Sequence, residues 1–275
     1  MRSIFTANRT GLVTGASAGI GLEMARSLAS KLDSLILVAR RVERLEQLAK
    51  ELHARYPALN VVCEPADLSD PEAVERLLRR LKSRGTDVDV LVNNAGLGES
   101  ELFERSPWYR VRQIVEVNVI AMLRLTYARC SAWDGRQGHG AILNIGSGAG
   151  YAAMPNAAVY TASKHFVRAF TESLRAQLAG TGVTVSEAAP GPVESEFDQA
   201  AGIEGGAIPG QGIFRITAQE CAADIVQEFE KGTPVIFPGR NYRWMMKVQP
   251  LMPRWLFAAQ IAQAARKLRQ KGARG

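Results

Sequence analysis

Short apolar runs alternate along the chain with longer segments in which apolar residues recur every three or four positions. The short runs have the length of buried strands, and the longer segments have the period of amphipathic helices. Strands are predicted near Gly11–Thr14, Ser34–Ala39, Asn60–Glu64, Val88–Asn93, Ala141–Ile145, Val183–Ala188 and Val235–Phe237. Helices are predicted near Ile20–Ser30, Val42–Arg55, Pro71–Arg84, Trp108–Trp133, Ala157–Ala179 and Ala218–Glu230. Strand and helix therefore take turns along the chain, as they do in βαβ units.

This alternation predicts an α/β fold, a single doubly wound Rossmann-type domain with about seven parallel strands flanked by helices. The 275 residues exceed an average domain but fit one such core with a short extension. No repeat or linker divides residues 1–240, which we take as the catalytic domain, and residues 241–275 form a basic, aromatic-rich C-terminal extension. Within the domain, residues 192–216 are rich in Gly, Ala and Pro without a clear period, which is typical of a lid loop over a substrate.

Charge is distributed unevenly along the chain. The net charge is +7, yet every charged residue from Arg240 onward is basic, and the rest of the chain is slightly acidic. The main domain therefore lacks the charge typical of nucleic-acid-binding proteins, and we predict no nucleic-acid partner. The extension mixes large apolar residues such as Trp244 and Trp255 with basic ones, so peripheral contact with an anionic membrane is one hypothesis. Covering the substrate cleft or forming an oligomer interface are the alternatives.

The sequence carries no sign of export or membrane insertion. No apolar run is long enough to span a bilayer, and the apolar stretch at the N-terminus is too short for a secretory signal. The 3 cysteines are far apart, and neither they nor the 3 histidines have the spacing of metal ligands. We therefore expect a cytoplasmic protein without a metal site, and membrane association through the extension is the alternative.

A glycine cluster, Thr14–Gly21, joins the first predicted strand to the first predicted helix. Glycines let the backbone turn tightly and approach a pyrophosphate, while the amides at the helix N-terminus face its charge. The spacing Gly-x-x-x-Gly-x-Gly differs from the usual dinucleotide fingerprint. A turn that serves only helix–strand packing is the alternative. The predicted pyrophosphate contacts are Gly15, Ser17, Ala18, Gly19, Ile20 and Gly21.

Two arginines, Arg40 and Arg41, follow the second predicted strand, where NAD-binding proteins usually present a carboxylate to the adenosine ribose. A carboxylate would repel a 2′-phosphate, whereas an arginine can bind it through paired, charge-assisted hydrogen bonds. The sequence therefore favours NADP(H) as cofactor, with Arg40 as the first ligand and Arg41 as the second. A solvated arginine that only begins the next helix is the alternative.

Three polar residues form the predicted catalytic centre. Tyr160 and Lys164 are four residues apart in a predicted helix, so their side chains emerge on one face, one turn apart. A nearby ammonium favours phenolate and would lower the pKa of the tyrosine. Ser147 follows the predicted strand Ala141–Ile145 at its carboxyl end, where open α/β sheets bind ligands. Its hydroxyl can hydrogen-bond a substrate oxygen.

Together with the glycine turn, the segments Asn93–Gly96, Asn118, Ser147 and Tyr160–Lys164 resemble the short-chain dehydrogenase/reductase family. The resemblance covers most of residues 10–240, and the spacing from serine to tyrosine also agrees with the family pattern. A Tyr-x-x-x-Lys pair alone is common in helices, but this set of motifs in this order is not.

The resemblance implies a role for each residue of the centre. Tyr160 would be the general acid for carbonyl reduction or the base for alcohol oxidation, and Ser147 would orient the reacting oxygen. Lys164 would lower the pKa of the tyrosine and hold the hydroxyls of the nicotinamide ribose. Asn118 would position Lys164 through a water and continue a proton relay.

The resemblance also implies cofactor contacts beyond the glycine turn. Asp67 is placed like the family residue that contacts adenine, and Asn94 and Gly96 would border the adenine ribose. Ser195 stands where many members carry a threonine near the nicotinamide amide. In addition to Tyr160 and Lys164, the implied contacts are Asp67, Leu68, Asn94, Ala95, Gly96, Pro190, Gly191, Val193 and Ser195.

The function implied by the resemblance is an NADP(H)-dependent oxidoreductase that interconverts a carbonyl and an alcohol on a hydrophobic small molecule. The family usually forms dimers or tetramers, so a homodimer or homotetramer is expected. One alternative keeps the same centre but recycles the cofactor, as in an epimerase or dehydratase. Another is a cofactor-sensing scaffold without turnover, which the intact Ser147, Tyr160 and Lys164 argue against.

Overall fold

The computed structural model describes the chain in five segments, residues 4–5, 9–131, 140–154, 156–202 and 211–249. The strands in these segments are β1 Thr10–Thr14, β2 Ser34–Ala39, β3 Asn60–Pro65, β4 Val90–Asn93, β5 Ala141–Ile145, β6 Thr184–Ala188, β7 Val193–Glu194, β8 Ile216–Thr217 and β9 Val235–Ile236. The α-helices are α1 Gly19–Leu28, α2 Val42–Arg55, α3 Pro71–Ser83, α4 Trp108–Val115, α5 Met122–Ser131, α6 Ala158–Gln177, α7 Glu196–Ala200, α8 Gln211–Phe214, α9 Ala218–Glu230 and α10 Arg240–Val248.

The seven strands predicted from the sequence form one sheet in the order β3-β2-β1-β4-β5-β6-β9, and every neighbouring pair is parallel. Its register is continuous through the centre, where Leu12 pairs with Ile36 on one side and with Leu91 on the other. The chain reverses its direction of travel across the sheet between β1 and β4. A crevice at the carboxyl ends of these two strands is where doubly wound folds bind ligands. The predicted α/β fold is therefore confirmed.

Helices bury both faces of the sheet, which explains why its strands are continuous apolar runs. On one face, Met24 and Leu28 of α1 and Phe229 of α9 are fully buried with the side chains of α2. On the other face, Leu77 of α3 and Leu125 of α5 pack with apolar residues of the central strands and α6. The sheet is thus the middle layer of three, and its rigid strand ends can fix the positions of side chains in the crevice.

Capping groups begin two of the predicted helices. The Asp70 carboxylate accepts a hydrogen bond from the Glu72 amide at 2.9 Å, and Pro71 takes the first helical position of α3. Thr217 and Glu220 form a reciprocal capping box that begins α9. Each cap contributes about 1 kcal/mol to helix stability.

The helix predicted over Trp108–Trp133 is interrupted. A π-helical stretch, Glu116–Ala121, separates α4 from α5, and Trp133 lies outside the described residues. Apolar periodicity does not reveal a π-turn, because the pattern of buried positions shifts by only one residue. Such turns are frequent at functional sites, and this one contains Asn118.

The lid segment, residues 192–216, contains β7, α7, α8 and β8, while residues 203–210 lie outside the described part. Of the C-terminal extension, only residues 241–249 are described, and most of them continue α10. Tyr242 and Met246 of α10 are only 4% and 5% exposed, so this helix packs against the domain. The hypothesis of membrane contact depends mostly on residues 250–275, which lie outside the described residues. In the described segments, no helix has both the length and the apolar character needed to cross a bilayer.

Candidate functional site

The glycine turn lies between β1 and α1, at the crevice. Gly15 and Gly19 have positive φ angles of 69° and 53°, a backbone conformation that residues with a Cβ rarely adopt. A Cβ on Gly21 would overlap Asn94 Nδ2 and the Gly15 carbonyl oxygen. The first turn of α1 contains no acidic residue, so its amides present positive charge alone. This local geometry fits a pyrophosphate, because the backbone itself forms the surface that an anion would approach.

The segment after β4 ties the glycine turn to the catalytic residues. Asn94 Nδ2 donates to the Thr14 carbonyl at 2.8 Å, and the Thr14 hydroxyl accepts the amides of Asn94 and Ala95, each at 2.9 Å. A Cβ on Gly96 would be 3.6 Å from Lys164 Nζ, so this backbone passes beside the lysine. The Asn94 amide group is thus engaged in holding β1 and β4 together, and its contact with a ribose stays a prediction.

The two predicted phosphate ligands differ in their surroundings. Arg40 is exposed, whereas Arg41 turns toward the glycine turn, where its Nε donates to Ser17 Oγ at 3.2 Å. Arg41 also forms an ion pair of 2.7 Å with Glu196 of α7, and Arg44 pairs with the same carboxylate at 2.5 Å. These arginines hold the pKa of Glu196 below its ordinary value. A cluster of cations therefore stands beside the turn, bridged to the lid segment by one carboxylate.

Asp67 and Leu68, the predicted adenine contacts, follow β3 at the same edge of the sheet. Asp67 Oδ1 accepts hydrogen bonds from the Ser69 amide at 2.9 Å and the Ser69 hydroxyl at 2.8 Å. The carboxylate is therefore folded onto its own turn, and Leu68 is buried. Contact with adenine stays a prediction.

The three residues of the predicted catalytic centre come together at the carboxyl end of β5. Lys164 Nζ lies 5.8 Å from the centroid of the Tyr160 ring, one turn away on α6. Ser147 lies close enough to the Tyr160 phenol to lower its pKa, and its hydroxyl accepts a hydrogen bond from the Ala149 amide at 3.1 Å. Lys164 Nζ donates to the Ile145 carbonyl at 2.7 Å, which fixes the amine under the strand end.

Burial controls the protonation of this group. Desolvation raises the pKa of Tyr160 to about 12, and the neighbouring Ser147 opposes that rise only in part. Desolvation likewise lowers the pKa of Lys164 to about 8, against the attraction of the Glu187 carboxylate. The expected lowering of the tyrosine pKa by Lys164 is not found in this structure, where burial raises the pKa instead. Tyr160 is a protonated phenol at neutral pH, which is the form that can donate a proton to a carbonyl oxygen.

Asn118 lies in the π-helical stretch and is 2% exposed, and both polar atoms of its side chain form hydrogen bonds. Its Oδ1 accepts the Leu97 amide at 2.8 Å, and its Nδ2 donates to the Leu97 carbonyl at 2.9 Å. The same Nδ2 donates to Ser163 Oγ at 2.9 Å. Asn118 thus joins the segment after β4 to the residue that precedes Lys164, and its positioning of the lysine through a water stays a prediction. Its part in a proton relay stays a prediction.

The segment that was predicted to contact the nicotinamide, residues 190–195, follows β6 and contains β7. The Pro190 carbonyl accepts the Gly148 amide at 2.9 Å, and Val193 is buried in β7. Ser195 caps α7 by accepting the Phe197 amide at 3.3 Å. A Cβ on Gly19 would be 3.1 Å from Ser195 Cβ, so the cap of α7 lies directly against the glycine turn.

Two aromatic residues at the site were not predicted from the sequence. Phe197 of α7 lies with its ring centroid 5.6 Å from that of Tyr160, and a Cβ on Gly98 would be 2.5 Å from its ring. Tyr242 of α10 covers Gly191, where a Cβ would be 2.7 Å from the tyrosine ring. Neither residue belongs to a recognisable motif, because each reaches the site from a segment far away in the sequence.

A third residue that was not predicted is Glu187, a buried carboxylate in β6. The sequence did give a signal for it, since a charged residue interrupts an apolar run that predicts a strand buried on both faces.

Comparisons with known proteins identify the family. A family model described as short chain dehydrogenase matches residues 9–204. A sulfoacetaldehyde reductase from Chromohalobacter salexigens is 34% identical over 227 residues, which cover 78% of this chain and 84% of the relative.

Two solved structures have a fold similar to that of this chain. A short-chain dehydrogenase from Sphingobium yanoikuyae in complex with NADPH has a TM-score of 0.78 at 29% identity, covering 88% of this chain and 93% of its own. A bulky-bulky ketone specific alcohol dehydrogenase from Comamonas testosteroni has a TM-score of 0.74 at 26% identity, covering 89% and 92%. With this family match, this fold and this centre, the chain belongs to the short-chain dehydrogenase family and is an oxidoreductase of the kind that acts on alcohols or carbonyls.

Proposed function

We propose that the protein is an NADP(H)-dependent carbonyl reductase or alcohol dehydrogenase acting on a hydrophobic small molecule. The observation that carries the proposal is the convergence of Tyr160, Ser147 and Lys164 at the end of β5, with Lys164 Nζ beside the backbone of Gly96. A proton donor, a hydroxyl and an ammonium therefore stand at the crevice that also contains the glycine turn.

The residues present fit a nicotinamide dinucleotide. The positive φ angles of Gly15 and Gly19 and the close packing at Gly21 leave a backbone surface for a pyrophosphate. Arg40 and Arg41 would bind the 2′-phosphate, because no carboxylate ends β2 to repel it. This preference for NADP(H) over NAD(H) is part of the proposal. A bound nicotinamide supplies or accepts a hydride.

The protein side of the reaction is proton transfer and orientation. In the reductive direction, the Tyr160 phenol donates its proton to the substrate oxygen, and in the oxidative direction the phenolate accepts one. The Ser147 hydroxyl, close enough to the phenol to lower its pKa, orients that oxygen and shares its developing charge. Lys164 supplies a positive charge beside the phenol and would hold the ribose hydroxyls.

An apolar substrate is supported by Phe197, whose ring centroid lies 5.6 Å from that of Tyr160, the proposed proton donor. The structural relative from Comamonas testosteroni is described as specific for bulky ketones, which favours a substrate of that kind. The sulfoacetaldehyde reductase makes a small anionic aldehyde the main competing substrate class.

The experiment is a panel of bulky ketones, their alcohols and sulfoacetaldehyde, assayed with NADPH and with NADH by nicotinamide absorbance. We expect the largest kcat/KM for a bulky apolar ketone with NADPH. Preference for sulfoacetaldehyde would contradict the substrate proposal, and preference for NADH would contradict the cofactor proposal. Product formation without net change in absorbance would instead indicate a recycled cofactor, as in an epimerase.

We also propose that the protein self-associates through the surface of α4 and α5. Trp108, Tyr109 and Tyr127 are 70%, 68% and 69% exposed there, and exposed aromatic groups of this size favour association. Light scattering on the purified protein is expected to give the mass of a dimer or tetramer, and a monomer at assay concentrations would contradict this.

A further inference from the structure

The strongest unexplained feature near the site is the buried carboxylate of Glu187, which is 2% exposed in β6. Burying a carboxylate costs several kcal/mol unless hydrogen bonds and opposite charges compensate it. The Tyr151 hydroxyl donates to Glu187 Oε2 at 2.8 Å. The other oxygen, Oε1, is buried and has no hydrogen-bond partner among the residues that the structure describes. A buried carboxylate oxygen of this kind calls for an explanation in the surrounding structure.

The carboxylate packs against the loop that carries the catalytic serine. A Cβ on Gly146 would be 3.1 Å from Glu187 Cδ, so the carboxylate occupies the space beside that glycine. Lys164 Nζ donates to the carbonyl of Ile145, which is the peptide unit joined to Gly146. The carboxylate and the ammonium therefore contact the same short piece of backbone, directly before Ser147.

The groups around Glu187 come from three elements. From α6, the cations Lys164 and Arg168 attract the carboxylate, while Glu172 repels it. Tyr151 contacts both Glu187 and Arg168. Its hydroxyl bonds the carboxylate, and the Arg168 guanidinium lies 4.0 Å from the centroid of its ring. From α10, the buried Tyr242 phenol also faces the carboxylate. Among the described residues around Glu187 there are thus two cations, Lys164 and Arg168, and one other carboxylate, that of Glu172.

Burial and the mutual attraction of Glu187 and Lys164 shift the pKa of each group in opposite directions. Desolvation raises the pKa of Glu187 to about 7, and Lys164 works against that rise. Desolvation lowers the pKa of Lys164 to about 8, and Glu187 works against that fall. Each charge therefore favours the charged form of the other.

We propose that Glu187 is a positioning residue, whose buried carboxylate keeps the Lys164 amine protonated at the catalytic centre. The importance of that charge for turnover rests on the proposed function, whereas the charge itself can be measured without turnover. A glutamine at position 187 would keep the shape and the hydrogen bond with Tyr151 but would remove the negative charge.

The test is competitive acetylation of the purified full-length protein, with no cofactor added, at a series of pH values between about 6 and about 10, read at Lys164 by mass spectrometry. Only the neutral amine reacts, so the reactivity profile reports its protonation. In Glu187→Gln we expect the midpoint for Lys164 to move to lower pH and its reactivity at neutral pH to rise several-fold. Glu64→Gln is the matched control, because Glu64 is also 2% exposed but pairs with Arg80 and Arg84 at the far edge of the sheet.

An unchanged Lys164 profile in a folded Glu187→Gln protein would overturn the proposal, as would an equal shift in Glu64→Gln. If Glu187→Gln does not fold, Tyr151→Phe carries the same test. It removes the hydrogen bond that favours the ionised carboxylate, so a smaller shift in the same direction is expected, and no shift would overturn the proposal.

The kcat profile separates this proposal from the proposed function. With an active ketone, the alkaline fall in kcat is expected at lower pH in Glu187→Gln than in wild type. If no ketone is turned over, the proposed function fails, yet the acetylation result still decides the role of Glu187.

Discussion

The ion pairs of Glu196 predict a specific effect on cofactor selection. Its carboxylate holds Arg41 at 2.7 Å and Arg44 at 2.5 Å, beside the glycine turn. In the proposed function a 2′-phosphate needs Arg41, so the phosphate and Glu196 compete for that arginine. Replacing Glu196 by glutamine would release the arginines and strengthen NADPH binding.

The size of the effect follows from exposure. The side chains are between 43% and 49% exposed, so each ion pair is largely screened by solvent. An exposed pair contributes about 0.2–1 kcal/mol, so releasing Arg41 from Glu196 is worth at most about 1 kcal/mol. That free energy corresponds to roughly a fivefold lower Kd for NADPH. NADH lacks the 2′-phosphate, so its Kd is expected to stay the same.

The assay is fluorescence titration of Glu196→Gln and wild type with NADPH and with NADH, at low and high salt. The matched control is Glu194→Gln, in the same segment, whose carboxylate faces Arg215 at 3.8 Å instead. We expect the gain for NADPH to shrink at high salt, because exposed charges are screened. An unchanged or weaker NADPH affinity in Glu196→Gln, or an equal gain for NADH, would refute the reasoning.

Three further predictions concern packing and pH. Gly21→Ala would force a Cβ against Asn94 and the preceding turn. It is expected to lower the free energy of unfolding by about 1–3 kcal/mol, measured by denaturation, and to abolish NADPH binding, measured by titration. Normal NADPH binding would contradict the conclusion that the turn has no room for a Cβ at position 21. Phe229→Ala, at a side chain that is 0% exposed, is expected to cost about 3–5 kcal/mol, whereas Trp244→Ala, at 70% exposure, should stay within about 0.5 kcal/mol of wild type. Because burial raises the pKa of Glu187 from 4.5 to about 7, the folded state binds its proton more tightly than the unfolded state. This group's contribution to stability is therefore complete below about pH 4.5 and is lost as pH rises to about 7, so urea unfolding of Glu187→Gln should show a flatter pH dependence than wild type in that window.

The fold and the centre were predictable because their signals are local. Strands buried on both faces must be apolar throughout, so β2 and β5 begin and end where the sequence indicated. The glycine turn requires glycines at fixed positions, and one helical turn brings Tyr160 and Lys164 onto the same face.

The other features depend on contacts between residues far apart in the sequence. Arg41 and Glu196 are 155 positions apart, and Tyr151 and Glu187 are 36 apart, so no spacing rule links them. The pKa of Tyr160 depends in the same way on burial by several segments, including the α7 residue Phe197. The types of the reacting groups could be predicted from the sequence, but only the packed structure shows that burial raises the pKa of Tyr160.

The most direct test of the account is Tyr160→Phe, which removes one hydroxyl from the centre and leaves the glycine turn and the arginines in place. Single-turnover oxidation of NADPH with a ketone that the wild type reduces should slow by about 10²–10⁴-fold, which is the usual contribution of a general acid. NADPH affinity should stay within about twofold of wild type, because the glycine turn and the arginines that would bind the dinucleotide are unchanged. A Tyr160→Phe protein that reduces the ketone at the wild-type rate would contradict the assignment of the proton donor.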